Sequence, residues 1–307
     1  MTRFVQTHRS AVLLMIFAAF LWSTAGVVTR HLESARSFEV TFWRSFFTVL
    51  SLLVILPMLR GRAVFSQIFV KVRNGHAAST ALWLSGLCWS VMFTAYMVAL
   101  TLTTVANVLV TLALGPLFTA LMARAFTGHR IAAHTWWAIG LAGVGIAWMF
   151  GGQADLSAQW AGTLVALLVP LAAACNWTVV QHNQAQGRNI DLLPAVLVGA
   201  LISCATTLPL AWPLAATAHD IGLLALLGLV QLAIPCVMSV GCASVLKAPE
   251  MALLAMLEVV FGTLLAWVGA GEAPGSSVLY GGMLVIGALV VNEWVGWSRS
   301  PLKISPD

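Results

Sequence analysis

The stretch LEVVFGTLLAWVGAGE, residues 257–272, places one carboxylate, Glu258, near the start of a long apolar run. A second stretch, LGPLFTALMARAFTGH, residues 114–129, has a similar order of bulky and small residues. With an offset of 143 residues, five of the sixteen positions are identical. Because so apolar a composition supplies some identities by chance, a true repeat must extend beyond these two stretches.

The match extends to neighbouring parts of the chain. Glycine pairs and Gly-Leu pairs recur at corresponding places: Gly86-Leu87 with Gly228-Leu229, and Gly140 and Gly145 with Gly282 and Gly287. The sequence therefore contains an internal repeat that covers at least three segments in each half.

Composition sets the broad class of protein. Of 307 residues, 60% are hydrophobic and 8% are charged, and the mean hydropathy is +0.95. A water-soluble domain of this size cannot cover its surface with so few charges. The chain is divided into apolar blocks of about 20 residues, the length that crosses about 30 Å of hydrocarbon as a helix. An integral membrane protein is therefore predicted.

Ten apolar blocks can be counted along the chain. Their predicted bounds are 11–29, 38–59, 80–101, 105–125, 131–150, 159–180, 192–212, 221–240, 249–270 and 278–297. A bilayer admits only helices or closed barrels of short strands, so these blocks predict an all-α bundle. The first block is longer than the core of a signal peptide and is expected to remain as a helix.

The repeat predicts the architecture of this bundle. Blocks three to five recur as blocks eight to ten, so the repeat unit has five helices. An odd number of crossings turns the second copy upside down, which is the inverted repeat of many secondary transporters. Two domains are expected, residues 1–153 and 154–307, around a central cavity with a substrate site near the midplane.

The distribution of Lys and Arg predicts the orientation. Twelve of the fifteen lie on the side of the two termini, two (Arg30 and Arg36) lie on the other side, and Arg44 lies inside block two. Cytoplasmic loops carry the excess of positive charge, so both termini are expected in the cytoplasm. The sequence pI of about 9.3 thus reflects topology, and no nucleic-acid partner is expected.

Four motifs are spread along almost the whole chain: LWST at 21–24, FWRSFF around Arg44, LGPLF at 114–118, and LEVVFG at 257–262 followed by Gly271-Glu272. Together they resemble the drug/metabolite transporter superfamily in its ten-helix EamA-type form. The resemblance implies a bundle of two times five helices that exports small metabolites, commonly amino acids, from the bacterial cytoplasm across the inner membrane. LWST is also similar to the aromatic amino acid exporter branch.

Two positions depart from the pattern of that family. Val259 stands where the family often has proline in helix nine, which weakens the expectation of a symmetric break in helices four and nine. His129 follows Gly128 where the family often has glutamate, which alters a loop contact.

Polar or midplane residues within the blocks are candidates for a substrate pathway, since burying polar groups in a bilayer is costly. At about 1.5 Å per residue, five of them fall near the midplane: Trp22, Trp89, Pro116, Gln231 and Glu258. Tryptophan favours the membrane interface, so a midplane indole indicates a cavity or a hydrogen-bond partner. The further candidates are Ser23, Ser90, Phe93, Asn107, Thr111 and Asn176.

Helix packing is the competing explanation for these candidates. Asn107 and Thr111 belong to a row with small residues, which lets helices approach closely. Pro116 frees a backbone carbonyl that either binds a substrate ammonium or forms a kink. The face formed by Trp89 and Phe93 suits either an apolar substrate side chain or a neighbouring helix.

Two charged residues lie inside the blocks. Arg44 is about two turns from the outer surface and is interpreted as a structural charge, by snorkelling or by helix-to-helix bonding, ahead of direct substrate contact. Glu258 is the only acidic residue deep in any block. Hydrocarbon favours a neutral carboxyl, so Glu258 is a structural hydrogen-bond partner, a substrate or proton site, or the ion-pair partner of Arg44.

The leading functional hypothesis is a secondary transporter that exports apolar or aromatic amino acids by alternating access. The first block has no acidic residue, which disfavours cationic drug export, but a multidrug or other metabolite exporter of the same superfamily is the alternative. A non-transporting scaffold or receptor is disfavoured because the longest connection has about twenty residues.

The chain is not expected to be an enzyme. An intramembrane enzyme is the remote alternative, since the sequence has no H-E-x-x-H, no G-x-S-x-G and no G-x-x-x-x-G-K-[ST] motif. No cofactor is expected, and the five cysteines lie inside blocks without the pattern of a metal site. The expected partners are a small-molecule substrate and the lipid bilayer, with a monomer as the working hypothesis.

Overall fold

The computed structural model describes residues 7–35, 37–61, 64–65, 76–127, 133–151, 156–185, 192–242, 245–246 and 254–299. These residues form helices and no strand, as predicted. Ten helical spans follow one another in this part of the chain: α1 His8–Thr29, α2 Ser37–Arg60, α3 His76–Leu102, α4 with segments Val105–Leu112 and Gly115–Thr127, α5 Ala133–Gly151, α6 Leu156–Ala185, α7 Leu193–Ala211, α8 with segments Ala218–Leu226, Leu227–Ala233 and Ile234–Cys242, α9 Leu257–Ala270, and α10 Ser276–Arg299.

The outer surface of the bundle is apolar. Six described spans are long and apolar enough to cross a membrane, and four shorter apolar stretches lie in α5, α6, α9 and α10. Large hydrophobic side chains point outward from several helices, including Trp137, which is 81% exposed, and Val268. An apolar surface of this extent is suited to lipid and unsuited to water. The prediction of a helical membrane protein is confirmed.

Helix contacts in the two halves correspond. α3 packs against α6 and α7, and its repeat counterpart α8 packs against α1 and α2. α4 packs against α6, and its counterpart α9 packs against α1. The pairs α2–α7 and α5–α10 join helices at equivalent positions of the two halves. This pattern supports an inverted repeat, while the division at residue 153 stays a prediction.

The repeated glycines explain part of this packing. A Cβ added to Gly86 in α3 would overlap the side chain of Val198 in α7. A Cβ added to Gly228 in α8 would lie 2.8 Å from the backbone oxygen of Arg44 in α2. The matching glycines of the repeat therefore permit matching close helix contacts.

Helices α4 and α9 are both interrupted at the same position of the repeat. The break in α4 lies at Ala113 and Leu114. The break that we assign to α9 lies at Met256, between the helical residues 254–255 and Leu257–Ala270, and 143 residues after Ala113. A tight turn forms at each place: the Leu114 N–H donates to the Thr111 oxygen at 3.2 Å, and the Val259 N–H donates to the Met256 oxygen at 3.0 Å. Val259 in place of proline weakened the expectation of a symmetric break, but a turn forms at Met256 without a proline.

One end of the bundle, which we call the Arg30 end, is held by an ion pair. Arg30 Nε donates to Glu272 Oε2 at 2.6 Å, and its two terminal nitrogens donate to the carbonyl oxygens of Leu100 at 2.6 Å and Thr103 at 2.9 Å. Glu272 Oε1 accepts from the Val105 N–H at 2.7 Å. These bonds join the ends of α1, α3 and α9 to the start of α4.

Glu272 reaches this position because Gly271 ends α9 in the left-handed conformation, with φ of 67°. Glycine adopts this conformation without the steric cost that a side chain imposes. The turn brings the chain sharply out of the helix directly before Glu272.

Two buried carboxylates tie loops at the same end. Asp220, in the first turn of α8, accepts the backbone N–H groups of residues 33–35 at 2.8 to 3.1 Å. Glu39, near the start of α2, accepts those of Ala215 and Ala216 at 2.9 and 2.8 Å. The α1–α2 and α7–α8 loops of the two halves are thereby linked.

Candidate functional site

A group of polar and aromatic side chains lies inside the bundle, away from the Arg30 end. We call it the Arg44 centre, and its members come from both halves of the chain. They are Trp22 of α1, Arg44 of α2, Phe93 and Tyr96 of α3, Gln231 of α8 and Glu258 of α9.

Arg44 is buried, with 1% of its surface exposed. One terminal nitrogen donates to Gln231 Oε1 at 3.1 Å, and the other donates to the Phe93 carbonyl oxygen at 2.8 Å. The alternative that Arg44 snorkels to the membrane surface is therefore wrong. The helix-to-helix bonding that was predicted beside it is present, since these bonds join α2 to α3 and α8.

Aromatic rings surround the guanidinium. The Arg44 Cζ atom lies 5.8 Å from the ring centre of Phe93 and 6.0 Å from that of Tyr96. Both distances are within the range of cation–π attraction. Trp89 packs on Phe93 with ring centres 5.4 Å apart and the planes tilted by 40°. The centre thus has a cationic part and an adjoining aromatic part.

Gln231 connects three helices at the centre. Its side chain is 2% exposed, accepts from Arg44, and donates through Nε2 to the Trp22 carbonyl oxygen at 3.3 Å. Gln231 belongs to the π-helical segment Leu227–Ala233 of α8. Such segments inside α-helices occur frequently at functional sites.

Tyr96 and Glu258 face each other between α3 and α9. The Tyr96 residue is 6% exposed, and its hydroxyl makes no well-formed hydrogen bond with a described residue. Glu258 is half-buried and lies in the first turn of α9, directly after the break at Met256. The predicted alternative of an ion pair between Glu258 and Arg44 is wrong for the described structure, where no such pair forms.

Several predicted candidates lie outside the centre and make contacts within or between helices. Asn176 accepts from Ser85 at 2.6 Å and joins α6 to α3. Ser90 lies at the close contact of α3 with Gly199 of α7. Three further bonds join residues three or four positions apart: Ser23 donates to the Phe20 oxygen, Thr111 to the Asn107 oxygen, and Asn107 to the Thr103 hydroxyl. Pro116 lies at the start of the second segment of α4, and its side chain is outside the described residues.

Tyr96 was missed by sequence reasoning. The chain has two tyrosines among 307 residues, and Tyr96 follows Phe93 by three positions, which places both on one helical face. Its rarity and its spacing from Phe93 were the available signals.

A groove of about 560 Å³ lies at the end of α2, away from these residues. Its lining is apolar and comes from Leu53, Val54, Pro57, Met58, Gly61 and Phe65. The described part of its lining has no polar side chain with which to recognise a metabolite.

Comparisons with known proteins agree with this fold. The EamA-like transporter family matches residues 9–151, which hold α1 to α5. A solved structure described as "Crystal structure of protein" has a TM-score of 0.61 and 19% identity, and the alignment covers 93% of this chain and 99% of that chain. Identity this low shows a shared fold alone. No curated protein matches the chain.

The structural match extends over both halves, whereas the family match covers the first. Ten helical spans in the described residues, six of them clearly able to cross a membrane, are what a transporter of this kind requires. Residues 9–151, just under half of the chain, therefore match the EamA-like transporter family, which belongs to the drug/metabolite transporter superfamily.

Proposed function

We propose that this membrane transporter exports apolar or aromatic amino acids across the bacterial inner membrane by alternating access. Both termini lie in the cytoplasm in this proposal, as the distribution of Lys and Arg predicts. The observation that carries it is the Arg44 centre, a buried polar group built by helices from both halves. In inverted-repeat transporters the substrate site lies between the halves.

The side chains of the centre favour this substrate class over a polar sugar or an inorganic ion. Phe93, Trp89 and Trp22 provide apolar and aromatic surface, against which an apolar side chain packs. Arg44, Tyr96 and Glu258 provide the polar groups that an amino acid requires. Burial of the substrate side chain supplies affinity, while the polar groups fix its orientation.

The interrupted helices support the same proposal. The breaks at Ala113–Leu114 in α4 and at Met256 in α9 create helix ends inside the bundle. Such ends leave backbone groups available and are frequent at substrate sites of secondary transporters. Glu258, beside one of these ends, is proposed to exchange a coupling proton.

The proposal is tested in proteoliposomes that contain the purified full-length protein. Uptake of a panel of labelled amino acids and cationic drugs is measured with and without a pH gradient, against liposomes without protein. We expect uptake of phenylalanine, tryptophan or leucine above the empty liposomes. Uptake of the drugs alone would replace the proposal with multidrug export, and uptake of nothing in the panel would contradict it.

A further inference from the structure

The Arg44 centre holds a buried positive charge that no described carboxylate neutralises. The two terminal nitrogens of Arg44 bond to a backbone carbonyl and to the Gln231 amide, both of which are neutral. Among the described residues, no ion pair includes Arg44. The third donor, Arg44 Nε, is buried and has no hydrogen-bond partner in this part of the chain.

The hydroxyl of Tyr96 is also buried, and it interacts with the Glu258 carboxyl without completing a well-formed hydrogen bond. Both groups belong to adjoining side chains, because Arg44 Cζ lies 6.0 Å from the centre of the Tyr96 ring. Buried polar groups in proteins are nearly always hydrogen-bonded, so the unpartnered Arg44 Nε indicates a missing partner. That partner must accept hydrogen bonds from a guanidinium N–H.

The charge of the missing partner follows from the cost of burying a cation. Removing a guanidinium from water is expensive unless a counter-charge is present, and more so within a membrane. Neutral acceptors and the rings of Phe93 and Tyr96 offset part of this cost. An anion bound at Arg44 would offset the rest.

We infer that Arg44 binds the carboxylate of the transported substrate, with the Tyr96 hydroxyl as a second donor. The inference rests on the proposed function and assigns to Arg44 a role beyond joining helices. A planar guanidinium suits a carboxylate, because its N–H groups match the two carboxylate oxygens. Glu258, which interacts with the Tyr96 hydroxyl, provides an acceptor for the ammonium group.

The inference narrows the substrate class to aromatic or apolar compounds that carry a carboxylate. Amines and amides of the same shape lack the negative charge that Arg44 requires. If Arg44 only joined helices through its bonds to Phe93 and Gln231, the transporter would not distinguish the acid from the amine or the amide. The two accounts therefore differ in how the transporter treats the acid and the amide.

The first experiment uses the wild-type protein in proteoliposomes. Uptake of labelled phenylalanine is measured in competition with unlabelled phenylalanine, phenylalaninamide, phenethylamine and 3-phenylpropionate. We expect 3-phenylpropionate to compete and the amide and amine to be about tenfold or more weaker than phenylalanine, as expected for loss of a charged hydrogen bond. Equal competition by phenylalaninamide would overturn the inference.

The second experiment uses variants of the two donors. The ratio of phenylalanine to phenylalaninamide uptake should fall close to one in Arg44→Gln, stay intermediate in Arg44→Lys, and fall partly in Tyr96→Phe. Size-exclusion chromatography shows which variants fold. If Arg44→Gln does not fold, the Tyr96→Phe variant and the competition experiment on the wild type test the inference. Both keep the helix-to-helix bonds of Arg44 intact.

The outcomes separate the inference from the proposed function. Absence of phenylalanine uptake by the wild type, with no uptake of other amino acids, contradicts the proposed function and the inference together. Uptake that is the same for the acid and the amide, or a ratio unchanged in Arg44→Gln and Tyr96→Phe, contradicts the inference and leaves amino acid transport standing.

Discussion

Two arginines inside the bundle have opposite surroundings. Arg30 uses three nitrogens to bond Glu272 and two carbonyl oxygens, so both its charge and its donors have partners. Arg44 is more deeply buried, has neutral partners for two nitrogens, and has none for Nε among the described residues. The full pairing of Arg30 is typical of a charge with a structural role. An incompletely paired charge is costly unless a ligand completes it, so the two residues are expected to respond differently to substitution.

The largest expected effect is loss of transport on removing an indole beside the Arg44 centre. Trp22→Ala and Trp89→Ala should each abolish phenylalanine uptake in proteoliposomes, because they remove apolar surface that the substrate side chain contacts. Trp137→Ala is the matched control, since Trp137 points outward and its substitution should leave uptake unchanged. If both variants fold and transport phenylalanine normally, these two indoles do not line the substrate site.

The next effect concerns coupling to a proton gradient. Glu258→Gln keeps the size of the side chain and removes its ability to ionise. We expect it to lose accumulation driven by a pH gradient while retaining exchange of internal for external substrate. Glu272→Gln, near the end of the same helix, should retain the response to the gradient. An unchanged response in Glu258→Gln would assign it a structural role.

A smaller effect is expected at the Arg30 end. Arg30→Gln should lower the thermal midpoint of the purified protein, because Glu272 and two carbonyl oxygens lose their donor. The pair is partly exposed, so a double-mutant cycle with Glu272→Gln should give a coupling of roughly 1 kcal/mol. Additive effects of the two substitutions would show that the ion pair contributes nothing measurable.

The smallest effect is expected at a neutral polar contact of residues that follow Arg44 and Phe93 in the chain. The Ser203 hydroxyl of α7 lies 3.0 Å from that of Ser45 and 2.9 Å from that of Thr94. Ser203→Ala should lower stability by about 1 kcal/mol, measured by thermal unfolding, and leave uptake intact. A loss of transport without a loss of stability would place Ser203 in the substrate pathway.

Much of the fold was predictable from the sequence, because the length of an apolar block is tied to the thickness of a bilayer. All ten predicted blocks overlap helical spans in the described residues. Parts of blocks five and nine, including residues 131–132 and 249–253, lie outside those residues. The break in α9 was not expected, because the tight turn at Met256 contains no proline that would indicate it in the sequence.

The site was less predictable than the fold. Trp22, Gln231 and Glu258 were chosen by depth, which the residue number within a block estimates well, and Phe93 was chosen by its spacing from Trp89. The rotation of each helix decides which of them meet, and the sequence does not give it. The pairing of Arg30 with Glu272, 242 residues apart, and the proximity of Tyr96 to both Arg44 and Glu258 depend on this rotation.

The most direct test compares Arg44→Gln with Arg30→Gln in one proteoliposome measurement. The ratio of phenylalanine to phenylalaninamide uptake is determined for equal amounts of folded protein. Arg44→Gln is predicted to bring the ratio close to one, while Arg30→Gln retains the wild-type preference for the acid. The account is contradicted if Arg44→Gln transports phenylalanine with the wild-type preference.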